Sequence, residues 1–551
     1  MDTNRRTVFA GLGIAGAAIA TGRSPTASAA TPGPNPSSRA LLATDPTIVV
    51  DTRSGRVRGY RHGDVRIFKG IPYAGPTGGT ARFLPPSPAS TWSGVRSSLA
   101  YGPVCPQQTR TGWANDEEAF LFHWDDGFAD EDCLRLNVWS RMPGGGRLPV
   151  MVWIHGGGYT AGSSQELPAY DGERLAALHG VVLVSVNHRL GPLGYLDLSG
   201  LGDERYRHSG NAGMLDLVAA LEWVRDNIVQ FGGDPGNVTI FGQSGGGSKV
   251  TTLMGMPAAK GLFHRAIVQS GSFPLSATTD SARAFARRVL NEAGVGHDLD
   301  RLSAIPPAAL IAAGAAVLKE QAGAPDFGRI GGPGLRLPGW SPVVDGDVIP
   351  EAPFARRAPA ISRHVPLIVG STRDEFGGGA GEITQAQLEE RLAPALRPRR
   401  EAILAAFRSD FPHASTGGLA KAMAAMGLRN ASIEQAAMHA DGGGAPAFLY
   451  WFTWGAPVLD GRWGSFHCLD LAFSFDNAQR WDTATGNSPE AQQLASVMSG
   501  AWTAFARSGD PSQPGLAWPR FSRERIPTMV FDAQTRAVND PARGARESLR
   551  N

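Results

Sequence analysis

From residue 149 onward, short apolar runs alternate with longer stretches of helical period, and this alternation limits the possible folds more than any other feature. Pro149–Ile154 (PVMVWI) ends at a glycine cluster, and Val181–Val186 (VVLVSV) and Val238–Phe241 (VTIF) are runs of the same kind. Ala266–Gln269, Pro366–Gly370 and Ala447–Phe452 continue the series. Apolar runs of strand length bounded by turn residues read as buried strands. Between them, Asn211–Phe231 carries Met214, Leu217, Val218, Leu221, Val224 and Ile228 at helical spacing, and Gly232-Gly233 stops it. Buried strands separated by helices form βαβ units, hence a large, mostly parallel α/β sheet with right-handed crossovers. Residues 280–440, rich in Ala and Arg, read as helical insertions. Length alone, 551 residues, would allow three or four domains of average size. The pattern shows no internal repeat and no boundary after residue 46, so one large domain over 47–551 is expected. Hydrophobic residues at 42% can fill such a core, and 70 glycines with 40 prolines suit a loop-rich enzyme better than a helical bundle.

The N-terminus reads as an address. Arg5-Arg6 precede an uncharged stretch from Val8 to Ala20, and small residues follow around Ala27-Ser28-Ala29. Thirteen residues are too few to cross a hydrocarbon layer of about 30 Å. The pattern is that of a twin-arginine signal over 1–30, which implies export to the periplasm or the exterior. Residues 31–46, rich in Pro and Ser, read as a linker. Elsewhere no apolar run reaches membrane length, so no stable membrane insertion is expected. The charge balance, 52 basic against 50 acidic residues, gives nucleic acid no field to follow.

The three cysteines are Cys105, Cys133 and Cys468. A Cys105–Cys133 bridge would stabilise by about 3.5 kcal/mol on the chain-entropy estimate, and an oxidising destination favours it over two buried thiols. Trp113, Phe120, Phe122, Trp124 and Phe128 lie between them. So aromatic a loop either packs the surface or walls an apolar pocket.

Gly242-Gln243-Ser244-Gly245-Gly246 fits G-x-S-x-G, a weak signal alone in a glycine-rich chain. Its context is stronger: VTIF precedes it and a helical stretch follows, the strand–turn–helix order that lifts a serine hydroxyl above a sheet edge. Such a hydroxyl needs a base and a place for the oxyanion. His155-Gly156-Gly157-Gly158-Tyr159, directly after PVMVWI, supplies the place, and the expected donors are the amides of Gly157, Gly158 and Gly245. Twelve histidines compete to be the base. His155 belongs to the glycine loop, while His188, His264 and His364 sit in or beside strand-like segments. His467 follows a strand and a glycine-containing loop late in the chain. The acid belongs between serine and histidine in chain order. There, Asp374 and Glu375 share one loop, and composition does not choose between them.

The ordered strings go further. They are Phe68-Lys69-Gly70-Ile71-Pro72-Tyr73, Glu131-Asp132-Cys133-Leu134-Arg135-Leu136-Asn137-Val138 and Trp153-Ile154-His155-Gly156-Gly157-Gly158. Asn187-His188-Arg189-Leu190-Gly191, Gly210-Asn211-Ala212-Gly213-Met214-Leu215-Asp216 and Phe231-Gly232-Gly233-Asp234-Pro235 follow. With them the chain resembles the type B carboxylesterase family, the α/β-hydrolases that include cholinesterases and bacterial para-nitrobenzyl esterases. The resemblance implies an α/β-hydrolase fold, the Cys105–Cys133 bridge, and a catalytic set of Ser244, His467 and Glu375, because the family's acid is usually a glutamate in a D-E-G-like string. It implies a serine ester hydrolase working through an acyl-enzyme, without metal or organic cofactor, on a small-molecule ester, which the aromatic residues suggest is apolar. Amidase, lipase and acyl-transfer chemistry would use the same residues, and a non-catalytic binding module would typically lack one of them. Three departures stand out. Gln243 and Gly245 replace the Glu and Ala common around the serine, and Phe376 replaces Gly after Glu375. Gln243 removes a carboxylate from beside the nucleophile, which weighs against cationic esters. Trp340, Trp451, Phe452 and Trp454 are further candidates for an apolar pocket.

Overall fold

The computed structural model describes residues 41–42, 44–108, 116–141, 146–273, 277–322, 340–376 and 381–550. The expected signal segment lies outside them, as do the first part of the linker and Trp113. The strands are β1 (Leu41–Leu42), β2 (Val49–Thr52), β3 (Gly55–Arg58), β4 (Tyr60–His62), β5 (Val65–Pro72), β6 (Val95–Ser97), β7 (Arg135–Arg141) and β8 (Leu148–Ile154). Next come β9 (Val182–Val186), β10 (Gly233–Gln243), β11 (Arg265–Gln269), β12 (Leu367–Thr372), β13 (Ala447–Phe452), β14 (Pro527–Phe531) and β15 (Arg536–Asn539). Twelve build one sheet in the order β1-β4-β5-β7-β9-β8-β10-β11-β12-β13-β14-β15, and β2, β3 and β6 make a small second sheet. From β9 to β14 the neighbours run parallel, and the pairs at both edges are antiparallel.

All six expected strands are present in this parallel stretch. Their continuous apolar sequences follow from burial on both faces. Along β8, Val150, Val152 and Ile154 enter one core while Met151 and Trp153 enter the other, on the opposite face. The expected helix forms as Ala212–Asn227, with a 3-10 turn, Ile228–Phe231, closing it against Gly232. The insertion helices Gln385–Arg391, Arg400–Asp410 and Thr416–Asp441 gather a third, smaller core around Leu388, Phe407 and Met423.

The sheet holds more than the sequence pattern announced. Leu41 and Leu42, inside the expected linker, pair antiparallel with His62 and Arg61, and the compact unit begins at Leu41. Leu41 is exposed, so backbone pairing rather than burial adds it to the fold, and composition carries no sign of that. Strand β7 also departs from an apolar run. Its Asn137 is buried but satisfied, accepting from the Gly70 N–H at 2.9 Å and donating to the Ser164 and Ser185 hydroxyls.

The strings around Arg189 and Asp216 owe their composition to one ion pair. Arg189 Nε donates to Asp216 Oδ2 at 2.8 Å and Nη2 donates to Oδ1 at 2.6 Å, with both side chains fully buried. The Arg189 backbone N–H adds a third bond to Oδ2. This joins the loop after β9 to the start of the crossover helix. Removing one partner strands a buried charge, so Asp216→Ala should lower the unfolding free energy by about 3–5 kcal/mol. Denaturant titration of the variant beside the parent protein measures it, and a loss below 1 kcal/mol would contradict this account.

Candidate active site

Parallel strands end on a common edge, and every expected triad and oxyanion-hole residue follows one of them. β8 and β10 are direct neighbours, with Gly242 opposite Ile154, so the segments leaving them start side by side. After β10 the backbone turns at Ser244, whose φ of 56° and ψ of −124° few residues other than glycine adopt. The turn is tied on both sides: Ser244 N–H donates to the Gln269 carbonyl at 2.8 Å, and Ser248 N–H donates to the Ser244 carbonyl at 3.0 Å. The helix Gly245–Leu253 begins directly behind it.

After β8, Gly157 and Gly158 take φ values of 78° and 63°, turning the chain across the start of that helix. The approach is close enough that a Cβ on Gly245 would sit 2.3 Å from the Gly158 oxygen and 2.4 Å from its Cα. That contact leaves no room for the alanine expected from the resemblance.

After β12, Glu375 is fully buried and fixed at both oxygens. Oε1 accepts from the Thr372 N–H at 2.8 Å, and Oε2 lies 2.5 Å from His467 Nδ1. The His467 backbone N–H also donates to the Glu375 carbonyl, at 2.8 Å. Of the two candidate acids, then, Glu375 meets the ring. Asp374 pairs with Arg373 and accepts from the Ser465 N–H at 2.8 Å, shaping the loop that delivers His467. Gln243, one residue before Ser244, places its amide nitrogen 3.3 Å from each ring nitrogen of His467. Cys468 donates to the Gln243 carbonyl oxygen at 3.3 Å, which fixes the orientation of that amide. Phe376 packs on the imidazole at 4.4 Å between ring centres, so this departure is larger than it looks in sequence. Three of the rival histidines are engaged elsewhere. His155 and His188 stack on each other inside the protein, and His264 accepts from the Val238 N–H.

The aromatic residues divide. Phe122 stacks on Trp124 at 4.9 Å and meets Phe466, the neighbour of His467, edge-on at 5.7 Å. Trp340 packs on Phe285, while Phe452 and Trp454 pack on Phe473, all as core residues. Trp451 lies under the Arg429 guanidinium. A cavity of about 810 Å³ opens between Pro106–Gln107 and Pro307–Ala312. Gln107 joins its wall to the glycine loop, accepting from the Gly162 N–H at 2.6 Å and donating to the Gly162 carbonyl at 3.0 Å.

The expected Cys105–Cys133 bridge is not formed. Both are free, buried thiols in hydrogen-bond contact, and that bond, together with burial, holds the Cys133 thiol well above its ordinary range. The two sulfurs are already neighbours, so what separates this state from the expected one is oxidation, not refolding.

A nucleophile-type turn after one parallel strand, a glycine loop after its neighbour and a His–Glu pair beyond two later strands define an α/β-hydrolase. The carboxylesterase family model matches residues 46–548. Over 91% of the chain and 98% of the relative, the sequence is 34% identical to the para-nitrobenzyl esterase of Bacillus subtilis. It is 33% identical to the phenmedipham hydrolase of Pseudarthrobacter oxydans over 91% of this chain and 99% of that one. Among solved structures, an esterase from Clostridium hathewayi that can hydrolyse aliphatic aromatic polyesters superposes with a TM-score of 0.79 at 35% identity, covering 93% of this chain and 99% of its own. The chain belongs to the carboxylesterase family and is a serine ester hydrolase.

One neighbour of the site escaped the sequence reading. Asp470, three residues beyond His467, accepts from Gln269 Nε2 at 3.0 Å and from the Tyr450 hydroxyl at 2.8 Å. Burial, reinforced by the charge of Glu375, pushes its carboxyl up from 3.8 to about 6 despite those two bonds. The folded carboxyl thus ionises at higher pH than the unfolded one. Its contribution to stability is full below the unfolded value and falls by about 3 kcal/mol as pH rises through the folded value. Asp470→Asn, which does not titrate, should therefore gain stability relative to the parent as pH rises from about 4 to about 7. Denaturation midpoints across that range measure the difference, and a constant offset would exclude the effect.

Proposed function

We propose that the chain hydrolyses neutral, apolar carboxylic esters in two acyl-transfer steps, with Ser244 as nucleophile. His467 takes the serine proton as Oγ attacks the carbonyl, then passes it to the departing alcohol. Glu375 fixes the ring tautomer and stabilises the imidazolium. The amides of Gly157, Gly158 and Gly245 receive the oxyanion, each such donor typically contributing about 3–4 kcal/mol to barrier lowering. Water then attacks the acyl-enzyme by the same path in reverse. The observation that carries this reading is the 2.5 Å contact between His467 and buried Glu375, set against the strained Ser244 turn. A neutral ester is favoured because Gln243, not a carboxylate, precedes the nucleophile. The aromatic polyesters taken by the Clostridium hathewayi esterase support an apolar substrate. Ser244→Ala should fold normally, lose several orders of magnitude in kcat on p-nitrophenyl esters and fail to react with a fluorophosphonate. Retained turnover would exclude this nucleophile.

The same proposal includes export through the Arg5-Arg6 signal and, in the oxidising compartment, loss of two protons and two electrons from Cys105 and Cys133 to an external oxidant as the bridge forms. Mature protein recovered outside the cytoplasm should begin beyond residue 30 and titrate one thiol rather than three. An intact N-terminus with three free thiols would count against both.

A further inference from the structure

Lys249 lies five residues beyond the nucleophile in the sequence and fully inside the protein. A general rule disfavours a cation there: burying an ammonium costs several kcal/mol unless polar groups replace its water. The replacing groups are informative. Nζ donates to the carbonyl of His155 at 3.0 Å and reaches the carbonyl of Gly156 at 3.5 Å. The Tyr159 ring centre lies 5.6 Å away, and the Tyr159 hydroxyl is bonded to Ser248 at 2.7 Å. The ammonium therefore touches residues on both sides of the Gly157–Gly158 turn.

The Gly156–Gly157 peptide is planar and trans, so its C=O and N–H point in opposite directions. A cation on the Gly156 oxygen thus aims the Gly157 N–H away from itself and makes that N–H a stronger donor. His155 Nδ1, 3.1 Å from the same oxygen, reinforces the aim. His188, stacked on His155, is held well below its ordinary range by burial and then by Lys249, so the His188 ring does not add a second positive charge at this spot.

We propose that Lys249 is a positioning residue for the oxyanion loop, orienting and polarising the Gly157 donor through the carbonyls behind it. The proposal rests on the reading that Gly157 receives the oxyanion. It predicts an effect on the transition state more than on substrate binding. Lys249→Met should lower kcat for p-nitrophenyl acetate by about 10- to 100-fold with KM within about threefold. It should weaken an aryl trifluoromethyl ketone, whose hemiketal oxygen occupies the oxyanion position, by a similar factor. Lys249→Arg should recover much of both. A folded Lys249→Met protein with parental kcat and ketone affinity overturns the proposal. Fluorophosphonate labelling of the parent separates the two layers: if Ser244 does not react, the underlying site reading fails instead. Should the methionine variant not fold, lysine-selective 15N spectra of the parent serve in its place, since the chain has only five lysines. The sheltered Lys249 ammonium signal should shift when the ketone binds, and an unmoved signal overturns the proposal equally.

Discussion

Backbone runs against backbone where the segments leaving β8 and β10 meet, and the rest of the site depends on that contact. The start of the helix Gly245–Leu253 touches the glycine loop without side chains between them, with a hypothetical Gly245 Cβ 2.3 Å from the Gly158 oxygen. Close packing of this kind fixes the serine turn and the loop amides relative to each other with no adjustable side chain involved. Catalytic geometry has to be held to a fraction of an ångström, and main chain crossing main chain on two adjacent parallel strands is a stiff way to hold it.

The remaining groups arrive on the same edge by the same topology. β12 delivers Glu375 and β13 leads to His467; both strands are parallel to β10, β12 separated from it by β11 alone and β13 lying next beyond β12. Behind the edge a polar layer connects them. The Gln269 main chain holds the Ser244 N–H, while its side chain holds Asp470, which is also bonded to Tyr450 on β13. A buried network of this kind is costly unless its members find partners, so it restrains the strands it joins. The Arg189–Asp216 pair does the equivalent work at the crossover that separates β9 from β10.

The central strands were legible because burial on both faces leaves a run of apolar residues with no other physical use. Strands β5 and β7 were not, since their buried Arg66, Asn137 and Ser140 look like surface residues until partners far away in sequence are known. The serine turn and the glycine loop were legible because each is local. The choice of Glu375 over Asp374 depends on which of two adjacent carboxylates the fold turns toward position 467, and adjacent residues of one loop give no sign of that. Lys249 was hidden for a related reason. A lysine in a short helix reads as solvated, and only its contact with carbonyls 93 and 94 residues earlier shows otherwise.

Two of the three departures from the family pattern, Gln243 and Phe376, meet at the imidazole. Gln243 lays a neutral amide against the ring, the Cys468 thiol holds that amide's oxygen, and Phe376 covers a ring face. A glutamate at 243 would add a negative charge against the imidazole, and under the proposed reading that charge would act strongly on a cationic substrate. With glutamine there, the carboxylate in contact with the ring is Glu375, already bonded to the Thr372 N–H and turned inward. Under the same reading little negative potential is left to face the substrate, and the aromatic ring of Phe376 adds apolar surface against the imidazole. Under the proposed reading, Gln243 and Phe376 favour a neutral, apolar alcohol portion, while Ser244, His467 and Glu375 carry the chemistry.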